Sequence, residues 1–327
     1  MNALSRFLIP LRRSVRHSVT SYKTLRSASK PSKLLVKSAL GSDALGPDKF
    51  ARFLKAAGFC ATASGVTYIG CVIWQYENVR NALKSVVPAF SKIFPNQKSS
   101  SQWQDKIMGY WTDLNDGKKL IVGLIAINCI VFSLWQLRSL QPVMTKYFLS
   151  DPTAKKIGLP TLLSIFSHIA PLHVFCNMYV LWSFADAAIH MFGKEQFLFF
   201  YMSAGMFAGI LSLMNKLARG VHQPSLGASG AIIGALGAVC TAFPDSKLSI
   251  IFLPMYPFSA ESALTALLCF ESLGVLLKWR FFDHAAHLGG LLFGIWYVKL
   301  GHELTWGKRQ TVMEWWHKLR GHGGVHE

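Results

Sequence analysis

Negative charge is what this 327-residue chain has least of: 16 Asp and Glu stand against 34 Lys and Arg. Charged residues of both signs make up only 15% of the chain, against roughly 25% in soluble domains. With 51% of residues hydrophobic, too little polar surface remains to cover a water-soluble globule, so lipid must cover the rest. Acids are missing altogether before Asp43, a stretch holding nine Lys and Arg among Ser and scattered apolar residues. That stretch also lacks the unbroken apolar run of a secretory signal, and its composition is that of a mitochondrial transit peptide. A nucleic-acid arm is a poor fit ahead of several membrane spans, so no nucleic-acid partner is expected.

Other absences narrow the chemistry. The six cysteines (Cys60, Cys71, Cys129, Cys176, Cys240, Cys269) all fall in apolar segments and show neither zinc-site spacing nor a disulfide framework, so they read as small core residues. The H-E-x-x-H helix of a metalloprotease is missing, and His284-x-x-His287 has no third ligand at suitable spacing. No metal and no cofactor is expected. No fixed-period or inverted repeat is visible.

What is present is a series of apolar stretches near the length of about 20 residues that crosses a bilayer. The first runs from Gly58 to Trp74; a polar stretch follows, and the second runs from Leu120 to Leu137. Five more follow at close spacing: His173 to Met191, Gln196 to Met214, Leu226 to Phe243, Ala260 to Leu277 and His284 to Leu300. The piece LSIIFLPMYPF (Leu248 to Phe258) is short and broken by two prolines, and reads as a re-entrant loop. The expected layout is a basic arm and transit peptide over 1–50, a first transmembrane helix over 51–76 and a polar linker over 77–118. A six-helix core follows over 119–302 and a polar tail over 303–327. The fold class is an all-α polytopic membrane protein with one helix set ahead of six. The basic arm and the basic tail pull its orientation in opposite directions.

Polar residues inside such spans are unfavourable in lipid, and each is a functional candidate. In HVFCN, His173 and Asn177 are four apart and share a helix face. In LGASGAIIGALG, Ser229 sits among Gly227, Gly230, Gly234 and Gly237; a lone serine there is usually a packing residue. In DHAAHLGGLLFG, His287 is followed by Gly290 and Gly294. Taken together they offer a nucleophile (Ser229), a base to deprotonate it (His287) and donors for an oxyanion (His173 and Asn177, with the Ser229 N–H). Glycine faces on both helices allow Ser229 and His287 to meet.

This ordered trio, H-x-x-x-N, then G-A-S-G, then A-H-L-G-G, resembles the rhomboid intramembrane serine proteases. SHIAPLHVFCNMYVLWSF and DHAAHLGGLLFG look more narrowly like their mitochondrial, presenilin-associated rhomboid-like branch. The resemblance implies a rhomboid-like six-helix core with one additional N-terminal helix, in the mitochondrial inner membrane. It implies a catalytic Ser229–His287 dyad without a third carboxylate, and an oxyanion hole formed by His173 and Asn177, with Gly227 shaping the turn. Substrates would be single-pass transmembrane proteins met within the lipid bilayer. Asp283 is a tempting partner for His287 but lies four residues from it, toward the loop. Ile233 stands where well-known bacterial members carry an aromatic ring stacked on the histidine, and their Trp-Arg loop pair is absent between Arg138 and Pro160. The segment KWRFF, Lys278 to Phe282, reads as a lid or as an interfacial anchor. The alternative function is a catalytically inactive rhomboid-like protein that binds and escorts transmembrane helices.

Overall fold

Helices carry nearly all of the computed structural model, which describes residues 46–86, 109–154, 156–250 and 253–322. The amino-terminal arm read as a transit peptide lies outside the described residues up to position 45. Helix α1 (Pro47–Val86) continues well past the end expected at 76. Helix α2 (Asp116–Gln136) starts at Asn115, whose side chain accepts from the Lys118 N–H at 2.7 Å. Two short helices, α3 (Gln141–Tyr147) and α4 (Gly158–Leu163), occupy the connection to α5 (Pro171–Phe192). Gly193, at φ +82°, turns the chain directly into α6 (Lys194–Arg219). Helix α7 (Ser229–Ala242) follows, then α8 (Ala260–Leu276) and α9 (His284–Trp296). A π turn, Tyr297–Gly301, ends the last core helix, and α10 (Gln310–His322) forms the tail. By length and composition α1, α2, α5 and α6 are long and apolar enough to cross a membrane. The fold is an all-α polytopic membrane fold.

One expected element differs in kind. The piece read as a re-entrant loop holds an antiparallel ribbon, β1 (Lys247–Ile250) with β2 (Leu253–Ser259), paired at Lys247–Ser259 and Leu248–Phe258. Pro254 and Pro257 exclude a helix, whereas a two-stranded ribbon leaves each strand a free edge where a missing N–H is harmless.

Helix α7 is the centre of the bundle, packed by α5, α6, α8 and α9. Its small residues make this possible: Gly230, Gly234 and Gly237, with Ala231, Ala235 and Ala238, are all buried. A methyl group added to Gly234 would lie 3.0 Å from the Gly290 carbonyl oxygen, and one on Gly237 3.1 Å from that of Leu291. The α7 and α9 backbones are therefore in direct contact, as the glycine faces predict. Around them Phe199, Phe200, Phe293, Tyr297 and Trp306 form an aromatic core, and Gln196 donates to the Tyr297 hydroxyl at 3.0 Å. Helix α1 packs on α6, with Asn78 donating to Glu195 at 2.6 Å and Arg52 to the Ala154 carbonyl at 2.7 Å. Helix α10 closes on α1 through Trp316 to Glu77 at 2.7 Å. Of the cysteines, Cys60, Cys71 and Cys240 are buried as expected, whereas Cys129, Cys176 and Cys269 lie on outward faces, where lipid serves an apolar thiol as well as a core does.

Candidate active site

Ser229 is the first residue of α7, so the helix starts three residues later than the apolar run from Leu226 suggested. The cause is Gly227, at φ +124°, a conformation that a side chain strains and a helix excludes. A Cβ there would also stand 2.9 Å from the His173 ring. The approach to the serine is pinned on both sides: Ser225 exchanges backbone hydrogen bonds with Ser150 at 2.8 and 2.9 Å, and the Gly227 N–H donates to the Ser164 carbonyl at 2.9 Å. A helix start leaves its first N–H groups without partners inside the helix, so the Ser229 hydroxyl is delivered beside free donor positions.

His287 lies one turn into α9, where its Nε2 is 2.9 Å from the Ser229 Oγ. Its Nδ1 is 3.0 Å from Oε1 of Glu271 on α8. The carboxylate only accepts, so Nδ1 carries the proton and Nε2 is the acceptor for the serine hydroxyl. Ser229, His287 and Glu271 thus form a continuous row. Glu271 is buried, 3% exposed at its side chain against 12% for His287, and its other oxygen, Oε2, meets His284 Nδ1 at 2.6 Å.

A carboxylate stands behind the histidine where the resemblance implied none. It was missed although an acid inside an apolar run, in CFESLGV, is the signal that intramembrane ionisable residues give. Asp283 does not partner His287. Its Oδ2 accepts from Lys216, Ser212 and Ser225, each at 2.6 Å, and its Oδ1 caps α9 by accepting from the Ala286 N–H at 3.2 Å. Burial alone would raise the Asp283 pKa, but the Lys216 charge and the three donors outweigh it and hold the carboxyl at about 2.

His173 borders Gly227, and its ring meets that of His168 edge to face at 4.8 Å. Asn177 is buried one turn further along α5, and its side-chain amide donates to the His173 carbonyl at 2.9 Å. His173 thus borders the Ser229 turn, and Asn177 lies four residues further along the same face of α5. His168, in the connection before α5, is fully buried, and the Ala228 N–H approaches its Nε2 at 3.4 Å. Burial, with His173 beside it, lowers its pKa to about 3, so it stays neutral and supports the serine turn as an acceptor. Ile233 provides no ring for His287; Phe282 stands at 5.9 Å from it instead.

A serine, a histidine and a carboxylate thus stand in one hydrogen-bonded row within a helical membrane bundle. The chain belongs to the rhomboid family: residues 159–303 match the Rhomboid domain. It is 42% identical over 273 residues to the presenilin-associated rhomboid-like protein, mitochondrial, of Homo sapiens, covering 83% of this chain and 72% of that one. It is 38% identical over 188 residues to Rhomboid protein 1, mitochondrial, of Saccharomyces cerevisiae, covering 55% of this chain and 54% of that one. A plant relative, RHOMBOID-like protein 12, mitochondrial, of Arabidopsis thaliana, is 25% identical over 205 residues. The chain is a multi-pass membrane protein of the mitochondrion, the compartment that all three relatives' names carry.

Proposed function

We propose that this protein is an intramembrane serine endopeptidase of the mitochondrial inner membrane that cleaves single-pass transmembrane proteins. The observation that carries the reading is the 2.9 Å hydrogen bond between Ser229 and His287, backed by Glu271 at 3.0 Å. Ser229, His287 and His173 are partly exposed, so a peptide can reach them.

The reaction runs in two halves. Ser229 Oγ bonds to the scissile carbonyl carbon while its proton passes to His287 Nε2, and Glu271 steadies the imidazolium that forms. Negative charge gathers on the former carbonyl oxygen, where His173, Asn177 and the Ser229 N–H are the donors. The C–N bond then breaks and His287 returns the proton to the leaving amine. In the second half, water attacks the acyl-enzyme and gives a proton to His287. The Ser229–carbon bond breaks, the serine recovers its proton, and a carboxylic acid leaves. The substrate must present an unwound segment, because helical hydrogen bonds cover the scissile carbonyl; Gly or Pro near one end of its span favours this.

The test is cleavage of a single-pass helix with a Gly-Ala-Ser run near one end, fused to a soluble reporter, by the protein in liposomes. Wild type is expected to cut it, while Ser229→Ala and His287→Ala do not. Equal cleavage by all three overturns the assignment. Stable binding of the helix with no cleavage by any of them favours the escort function instead.

A further inference from the structure

His284 is more deeply buried than the histidine beside the serine, with its side chain 2% exposed, yet the reaction above gives it no part. The chain takes trouble to enclose it. Phe270, Trp279, Phe281 and Phe282 surround its ring with centroids at 5.1 to 6.0 Å. Gly274 clears its other side: a Cβ there would lie 2.7 Å from the ring's Cδ2. The turn into KWRFF begins at Lys278, a non-glycine residue at φ +60°. The segment read as a lid or an anchor thus forms a wall around this imidazole. If the wall wanted only an apolar filler, leucine or phenylalanine would serve it better than a ring whose Nε2 finds no hydrogen-bond partner among the described residues.

The polar atom that explains the residue is Nδ1, which donates to Glu271 Oε2 at 2.6 Å. A buried carboxylate has two oxygens to satisfy, and its terminal torsion is soft, so a single hydrogen bond does not hold its plane. His287 supplies one donor and His284 the other. They sit three residues apart on one face of α9, and together they fix the carboxylate from both ends. We propose that His284 is a positioning residue for the hydrolytic reaction: by holding Glu271 Oε2 it aims Oε1 at His287 Nδ1, keeping the Nε2 acceptor turned to Ser229. This rests on the Ser229–His287 reading, and deepens it by one residue.

The experiment compares His284→Phe, which keeps the ring volume but removes the donor, with His284→Asn, whose amide nitrogen replaces Nδ1. His284→Gln is the control, since its amide nitrogen falls nearer the Nε2 position. Each is assayed with the reporter-fused helix in liposomes, by rate of labelling of Ser229 with a fluorophosphonate, and in a Glu271→Gln background. A role through Glu271 predicts a loss of roughly 10–100-fold in kcat for His284→Phe at little-changed KM, by analogy with the partners that orient metal-ligating histidines. It predicts substantial rescue by His284→Asn but not His284→Gln, and no further loss when His284→Phe is added to Glu271→Gln. Full activity of His284→Phe, equal failure of Asn and Gln, or losses that multiply with Glu271→Gln overturn it. Should His284→Phe fail to fold, the Asn and Gln pair decides alone. Activity surviving in Ser229→Ala and His287→Ala would refute the underlying reading, a result distinct from any of these.

Discussion

Gly290→Ala is the perturbation that most directly tests why the serine and histidine helices touch. A Cβ at position 290 would run into the Gly230 carbonyl group, overlapping its oxygen and standing 2.9 Å from its carbon. Carbon atoms rest at roughly 3.5–4.0 Å, so α7 and α9 must part by roughly an ångström at this point. The obstacle is backbone on both sides, so no side chain can swing away to relieve it. Gly230 adjoins Ser229 and Gly290 lies one turn from His287, so the separation falls on the 2.9 Å hydrogen bond between them. Stretched to about 4 Å it is no longer a hydrogen bond. A misplacement of this size costs about 10²-fold in rate, or about 2.7 kcal/mol in the barrier. The assay is the reporter-fused helix in liposomes with kcat and KM separated, beside Gly123→Ala, where an added Cβ meets nothing within 4 Å. The expected result is a loss in kcat for position 290 and none for position 123. Gly290→Ala retaining activity within about threefold refutes the claim that backbone contact sets the Ser229–His287 distance.

Three further outcomes are expected. Glu271→Gln replaces an acceptor of the His287 Nδ1 proton by an amide able to donate, which favours the wrong tautomer; fluorophosphonate labelling of Ser229 should slow by roughly 10³–10⁴-fold. Asn177→Ala should lower kcat roughly 10²-fold with little change in KM, as removal of one oxyanion donor does, and an equal rise in KM instead would assign Asn177 to substrate binding. Asp283 has its pKa depressed from 3.8 to about 2, so its contribution is fully present above pH 3.8 and is lost as pH falls through about 2. Thermal unfolding in detergent micelles should show Asp283→Asn weakened at neutral pH by about 2 kcal/mol and less sensitive to acid between pH 4 and 2 than wild type; an unchanged acid dependence would mean that another group carries it.

Much of this site is legible in the sequence because its parts announce themselves against an apolar background. Ser229, His287, His173 and Asn177 stand out in spans, and the glycines beside the serine and the histidine state that two backbones approach. The helix positions follow from apolar length: Ala260 and His284 begin helices where the pattern begins. Glu271 was equally visible as a letter, but nothing in its neighbourhood tells which histidine it meets. That depends on how α8 rotates against α9, a tertiary choice made by Gly274 and the aromatic residues around His284. Asp283 illustrates the converse: close to His287 in sequence, it is claimed by Lys216 and two serines from elsewhere in the chain. The ribbon after α7 escaped because apolar character and prolines exclude a helix without saying what replaces it.

The Asp283 clamp also ties two parts of the site to one point. A single oxygen binds Ser225, four residues before the nucleophile, and belongs to the residue that caps the helix of His287. Serine turn and histidine helix therefore share one fixed point. A displacement of that point carries both groups along together, leaving their difference in position nearly untouched. The separation between Ser229 and His287 is thereby shielded from a displacement of that anchor. Such shared anchoring would let the surrounding helices shift while the Ser229–His287 distance is kept.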